Sequence, residues 1–279
     1  MTLAAAELRA LIEHLREQWD IHGLGTTTWH QPAAREGRRF VGSDVARVAA
    51  VEGLTRHVHE TASSVLLLTG AGQVNSALPL VRLMYECALN AVWLMQSKDD
   101  HGIKALLDEH SRNRLAIQRD ARQAASQVFR DGADDVADTD REPYAGSLDS
   151  TRNFENICKD LSPGGTDAYI FYRLLSSFSH ASLEVSEFYY LKALPETPGL
   201  PQRRLKPRRP LNPDTLLFFA ATSMVWSARA FTYSSHNKAH RSVLRHAAGR
   251  LEISAELGLS ERYRRRHSAF RKTSKASSS

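Results

Sequence analysis

From Leu78 to Met95 the chain is apolar on almost every side of a helical projection, and its only charged or amide residues there, Arg82, Glu86 and Asn90, fall four apart. A helix that is hydrophobic all round belongs at the centre of a helical core, and residues four apart stack along one stripe of it. Neither Arg82 nor Glu86 can be left unpaired in such a place, because an isolated buried charge costs several kcal/mol. The segment therefore predicts a central helix and a facing helix that supplies polar partners. The same three residues would be expensive in lipid, so no membrane span is expected.

Helical periodicity recurs on both sides of this segment. Leu8, Leu11, Ile12, Leu15 and Trp19 form one amphipathic stripe that ends before Gly23 and Gly25. Ser43 is placed to cap a second helix carrying Val48, Val51, Leu54, Val58, Val65 and Leu66, which Gly70 and Gly72 terminate. Asn75 is placed to cap the central helix. A fourth helix from about Asp99 sets Ile103, Leu107, His110, Ile117 and Val128 on a partly buried seam, with His110 a core or interface residue. The acidic stretch 131–150 reads as a loop, and a short helix follows near Phe154 to Cys158. After the breaker Ser162-Pro163-Gly164-Gly165, Thr166 opens a helix rich in Tyr and Phe that extends to about Leu194.

Convincing β-alternation is absent, and the reading is all-α: a bundle of about six to eight helices with a basic C-terminal helical extension. Residues 1–195 are expected to form the bundle core and 196–213 a Pro/Arg-rich linker. Two C-terminal helices are expected within 214–260, and 261–279 is read as a basic, disordered tail.

Charge is distributed unevenly along this plan. The chain carries a formal +6, yet residues 196–279 hold 17 Lys/Arg against 5 Asp/Glu, a net +12, and the remainder is −6. Clustered cations favour a polyanionic partner through counterion release. Arg203, Arg204, Lys206, Arg208 and Arg209 in the linker and Arg264, Arg265 and Arg266 in the tail are the candidate nucleic-acid contacts, with RNA or another polyanion as partner. A homodimer, and a cognate antitoxin or other partner protein, stay open. The two cysteines, Cys87 and Cys158, form no paired motif, and the first residues show no secretory pattern, so a cytoplasmic location is expected.

No cofactor or metal is expected. The chain lacks G-x-G-x-x-G, a phosphate-binding P-loop, H-E-x-x-H and G-x-S-x-G. His57 and His59 point to different helical faces and, with Glu60, read as surface residues. The candidate chemistry lies instead on the helix after Gly165, where Arg173 and His180, seven apart, fall on one face with Ser177 and Glu184, and Tyr172 and Ser176 lie alongside. Such residues are also what the solvent face of an ordinary amphipathic helix contains.

Arg82, Tyr85, Glu86 and Asn90, followed downstream by Tyr172, Ser176, His180 and Ser182, resemble a bacterial helical family of unknown function over about Asn75 to Leu194. More distantly, Arg173 followed by six residues and His180 is similar to the Arg-x4-6-His signature of the higher-eukaryote and prokaryote nucleotide-binding (HEPN) superfamily. That resemblance implies RNA binding, and in catalytic members a metal-independent endoribonuclease of a toxin or defence system. It would make His180 the acid/base near the 2′-hydroxyl and Arg173 the phosphate ligand, with Arg82, Glu86, Asn90, Tyr172 and Ser176 in support. Two other readings stand beside it: a non-catalytic helical binding module, and a small-molecule enzyme with a pocket at Glu86, Tyr172 and His180.

Overall fold

The computed structural model describes residues 3–23, 30, 39, 41–136, 147–187 and 212–276, and among them the protein is an all-α bundle. The helices are α1 (Ala5–His22), α2 (Gly42–Gly70), α3 (Val74–Gln96), α4 (His101–Arg122), α5 (Gln127–Asp131) and α6 (Ala133–Val136). They continue with α7 (Phe154–Asp160), α8 (Gly165–Ser177), α9 (Leu183–Glu187), α10 (Pro213–Ser235), α11 (Lys238–Arg250) and α12 (Glu261–Ala276). One antiparallel pair of two-residue strands, β1 (Leu161–Ser162) and β2 (Gly258–Leu259), sets Leu161 opposite Leu259.

The local chemistry explains where several of these helices begin. Asn212 accepts a hydrogen bond from the Asp214 N–H and Pro213 follows at the first helical position, so α10 starts with an orphan amide satisfied and a residue whose own missing N–H costs nothing there. Asn237 opens α11 and Asn153 opens α7 in the same way. Gln73, not Asn75, precedes α3, and Ser43 lies inside α2, where its hydroxyl donates to Asp100 at 2.8 Å.

α3 is the core helix. It packs along α2 and α10, while α10 also lies against α2 and α1. It is also long and apolar enough to cross a membrane, yet 67% of its most apolar stretch is buried inside the bundle. The turn that follows it is held by Arg47, a fully buried side chain from α2, which donates to the Ser97 carbonyl at 2.8 Å and to that of Asp99. A buried guanidinium here supplies donors to carbonyls of a turn that has no ladder of its own to pair them.

Four expectations are corrected. The division of a core at 1–195 from later helices is not how the core is assembled: Leu217, Ala221, Met224, Ala228 and Phe231 of α10 are fully or almost fully buried among α1, α2 and α3. The linker 196–213 lies, except for Asn212 and Pro213, outside the described residues. Residues 261–276 are helical and not a disordered tail, because Tyr263, Arg266 and His267 find buried partners elsewhere in the chain. The seam read along the fourth helix stops at Arg122, with Ile117 57% and Val128 79% exposed and His110 at the surface.

The fourth correction is His59, which is 3% exposed and stacks on Trp19 at 4.8 Å. Burial, with His240 and Arg16 adding to it, lowers its pKa from the ordinary 6.5 to about 3. Burial likewise brings His240 of α11 to about 4, helped by His22. Both folded-state values lie below the unfolded one, so the unfolded chain takes up protons first, and stability falls as pH drops through 6.5 toward the folded values. Each histidine should cost the fold about 2 kcal/mol between pH 7 and pH 5. Urea midpoints at the two pH values check this: His59→Leu and His240→Leu should each reduce the acid loss by that amount, and an acid loss equal to that of the unsubstituted chain would refute the assignment.

Candidate functional site

The stripe on α3 meets the partner helix that its charges require. Arg82 donates from Nε to Ser176 Oγ at 2.9 Å and from Nη2 to both Glu86 Oε1 and Tyr172 Oη at 3.0 Å. Its guanidinium also lies 5.1 Å from the centre of the Tyr172 ring, which packs on Phe154 of α7. The Arg82 and Glu86 side chains keep about a fifth of their exposure, 19% and 21%, so the pair is half-buried. Asn90 does not join the bridge but donates to the Glu86 backbone carbonyl at 2.9 Å. One side chain thus ties α3 to two successive turns of α8. Of the three residues read as a pocket, Glu86 and Tyr172 are bridged by the Arg82 guanidinium, and His180 lies on the bend after α8.

α8 ends at Ser177, short of the expected Leu194. Serine hydroxyls compete for its last carbonyls: Ser177 Oγ donates to Leu174, Ser179 Oγ to Leu175 and Ser182 Oγ to Ser177, all at 2.8 to 2.9 Å. Short polar side chains that bond back to the main chain offer it an alternative to helix. Phe178, 6% exposed, anchors the turn in the core. Arg173 and His180 are therefore not two turns apart on one helix. Arg173 is exposed on the last turns of α8, and His180 is exposed on the bend that follows. Arg173 also contributes to the field at Glu155, whose carboxyl is held below its usual range chiefly by its hydrogen bond with Lys159.

At the C-terminus the three arginines separate. Arg264 and Arg265 are exposed on α12, Arg265 pairing with Glu261 at 3.1 Å. Arg266 is corrected from a nucleic-acid contact to a structural ligand. It donates to both oxygens of Asp160, at 3.0 and 2.6 Å, and to Asp149 at 2.8 Å, the two carboxylates being 3% and 0% exposed. The same Asp149 lies 2.9 Å from His267 Nε2 and accepts from the Tyr263 hydroxyl at 3.1 Å, while that hydroxyl accepts from the Lys98 N–H. Burial and Asp149 push the Tyr263 hydroxyl well above its usual range, so it stays a donor. Burial opposes the Arg266 charge, but Asp160 and Asp149 outweigh it and hold the guanidinium protonated. Sequence reasoning misses this cluster. Its visible signal is Tyr263, Arg266 and His267 at three and four residues apart, one face of a helix. Arg203, Arg204, Lys206, Arg208 and Arg209 lie outside the described residues.

Among the described residues no group of three or more His, Cys, Asp or Glu is arranged to hold a metal ion, and Cys87 and Cys158 are buried free thiols. Burial pushes both thiols up to about 12, which leaves neither a nucleophile near neutral pH.

No curated protein and no solved structure matches the chain. A family model does match, over residues 48–195. The matched stretch runs from α2 through α9 and contains the whole Arg82, Glu86, Tyr172 and Ser176 bridge as well as Arg173 and His180. It leaves out α1 and the basic C-terminal third. With more than half of its length covered, the chain belongs to the family of unknown function DUF5677.

Proposed function

We propose that the chain is an RNA-binding helical protein of HEPN-like type, in which Arg173 and His180 act as the reacting pair of a metal-independent endoribonuclease of a toxin or defence system. The observation that carries this reading is a division of labour on α8 and the bend that follows it. Tyr172 and Ser176 face α3 and hold Arg82, whereas Arg173 on α8 and His180 on the bend after it are exposed to solvent. A neutral His180 takes the proton from a ribose 2′-hydroxyl as the 2′-oxygen attacks phosphorus. The bond from phosphorus to the 5′-oxygen breaks, and that oxygen takes a proton relayed through water from the protonated His180, leaving a 2′,3′-cyclic phosphate and a neutral imidazole. Arg173 donates to the non-bridging oxygens as their charge builds.

Phosphate contacts away from this pair come from Arg264 and Arg265, exposed on a helix that Arg266 holds against the core, and from Arg203 to Arg209. Replacing both Arg264 and Arg265 by Gln should weaken binding to single-stranded RNA. It should also flatten the log–log salt dependence by about 0.7 in slope for each phosphate that is no longer neutralised. Fluorescence anisotropy between about 50 mM and 200 mM salt checks this. An unchanged slope would remove α12 from the interface.

The break at Phe178 favours a second reading. It takes His180 off the register it would share with Arg173 on a continuous helix, which suits a non-catalytic module that binds RNA through the same basic surface. Cleavage by the intact chain separates the two.

A further inference from the structure

Between α3, α8 and α10 lies a cleft of about 450 Å³, walled largely by the rings of Tyr85, Phe171, Phe219 and Trp226. Phe171 packs 4.7 Å from Phe219, and Tyr85 meets Phe219 edge-on at 5.7 Å. Phe171 nevertheless stays 40% exposed, a large ring offered to solvent on the wall of a cavity. Concave, mainly aromatic sites with a few fixed polar groups are where proteins hold small molecules.

Two independent observations point to a ligand. The first is Thr222, which is 1% exposed and whose hydroxyl has no hydrogen-bond partner among the described residues. Ser223, the next residue on α10, instead donates to the Phe219 carbonyl at 2.7 Å. A buried hydroxyl without a partner carries an uncompensated desolvation cost. A ligand group in the cleft would remove it.

The second is charge. In a chain of net +6, the charged side chains that line this cleft among the described residues are Asp167 and Glu252, both acidic. Asp167 is exposed in the first turn of α8. Gly165 brings the backbone before it hard against α7, since a Cβ there would lie 2.3 Å from the Cys158 carbonyl oxygen. Aromatic walls with a carboxylate rim favour a flat cation and repel an anion.

We infer that this cleft binds a small aromatic amine, its ring between Phe171 and Trp226, a polar group on Thr222 and its ammonium toward Asp167. Such a ligand is opposite in charge to RNA, and the site stands whether or not the chain handles RNA.

Isothermal titration of the full chain with tryptamine, indole and indole-3-acetate tests it with one ring carrying positive, no and negative charge. Tryptamine should bind about tenfold tighter than the acetate, and Asp167→Asn should remove most of that difference. Thr222→Val keeps the shape and deletes the hydroxyl, and should weaken tryptamine about fivefold. Its melting midpoint should not fall, because an unpartnered buried hydroxyl contributes no bond. Absence of binding by all three compounds at millimolar concentration would overturn the inference. So would equal affinity for the amine and the acetate, or tryptamine binding unaltered in Thr222→Val.

Discussion

Arg266→Ala should destabilise the protein by about 3 to 5 kcal/mol, the range for removing one partner of a buried ion pair. The loss comes from what is stranded more than from what is removed. Asp160, 3% exposed, accepts from Arg266 at both carboxylate oxygens, so the substitution leaves a carboxylate in the interior without its compensating charge. Asp149 fares better because His267 and Tyr263 still hold it. Arg266→Lys should recover only part of the stability, since a single ammonium cannot span the geometry that a guanidinium meets with two nitrogens. Arg264→Ala and Arg265→Ala, at exposed positions on the same helix, should stay within about 0.5 kcal/mol of the parent. Denaturant unfolding of the four variants decides the matter, and an Arg266→Ala midpoint equal to that of Arg264→Ala would show that the cluster adds nothing.

The result bears on how RNA binding is tested. Three consecutive arginines look alike in a sequence and suggest one basic patch to delete. In the fold, deletion of residues 261–279 would also remove Tyr263, Arg266 and His267 from two buried carboxylates. Lost RNA retention in such a truncation would report unfolding as readily as missing phosphate contacts. The point variants Arg264→Gln and Arg265→Gln avoid this.

The contrast between α3 and α12 shows which physics a sequence exposes. Arg82 and Glu86 stand out because their surroundings are local: the same eighteen residues that supply the charges supply the apolar helix that makes them costly. A partner helix with hydroxyls follows from that, and Tyr172 and Ser176 supply them. Arg266 has no such local contrast. Its carboxylate partners lie 106 and 117 residues away, the farther one at the end of an acidic stretch that looks like any solvated loop. Arg47 and His59 are hidden for a similar reason. Each sits on α2, whose polar and apolar residues mix around the helix because more than one side is covered, so periodicity alone does not say which polar groups are buried. The end of α8 is obscured differently. Its aromatic pattern continues past Ser177, but three serines, Ser177, Ser179 and Ser182, supply hydroxyls that compete for the backbone, and propensity over a long window averages that local competition away.

If Arg173 and His180 act on RNA, His180→Ala should lower metal-independent cleavage of single-stranded RNA by about 10² to 10⁴, the usual contribution of a positioned acid/base. Arg173→Ala should lower it by about 10² to 10³, as the loss of a donor to developing charge does. Both side chains are exposed, so neither substitution should move the helical circular dichroism or the melting midpoint. Tyr172→Phe supplies the complementary control. It deletes an acceptor of Arg82 on the side of α8 that meets α3, and should lower stability while reducing cleavage only as far as α8 loosens. Binding serves as the third readout: His180→Ala should retain RNA as tightly as the parent, because the phosphate contacts reside elsewhere. Cleavage by the parent chain with full activity left in both Arg173→Ala and His180→Ala would place the chemistry on other residues. A parent chain that binds RNA yet leaves every substrate intact, with the salt slope still carried by Arg264 and Arg265, would establish the protein as a binding module.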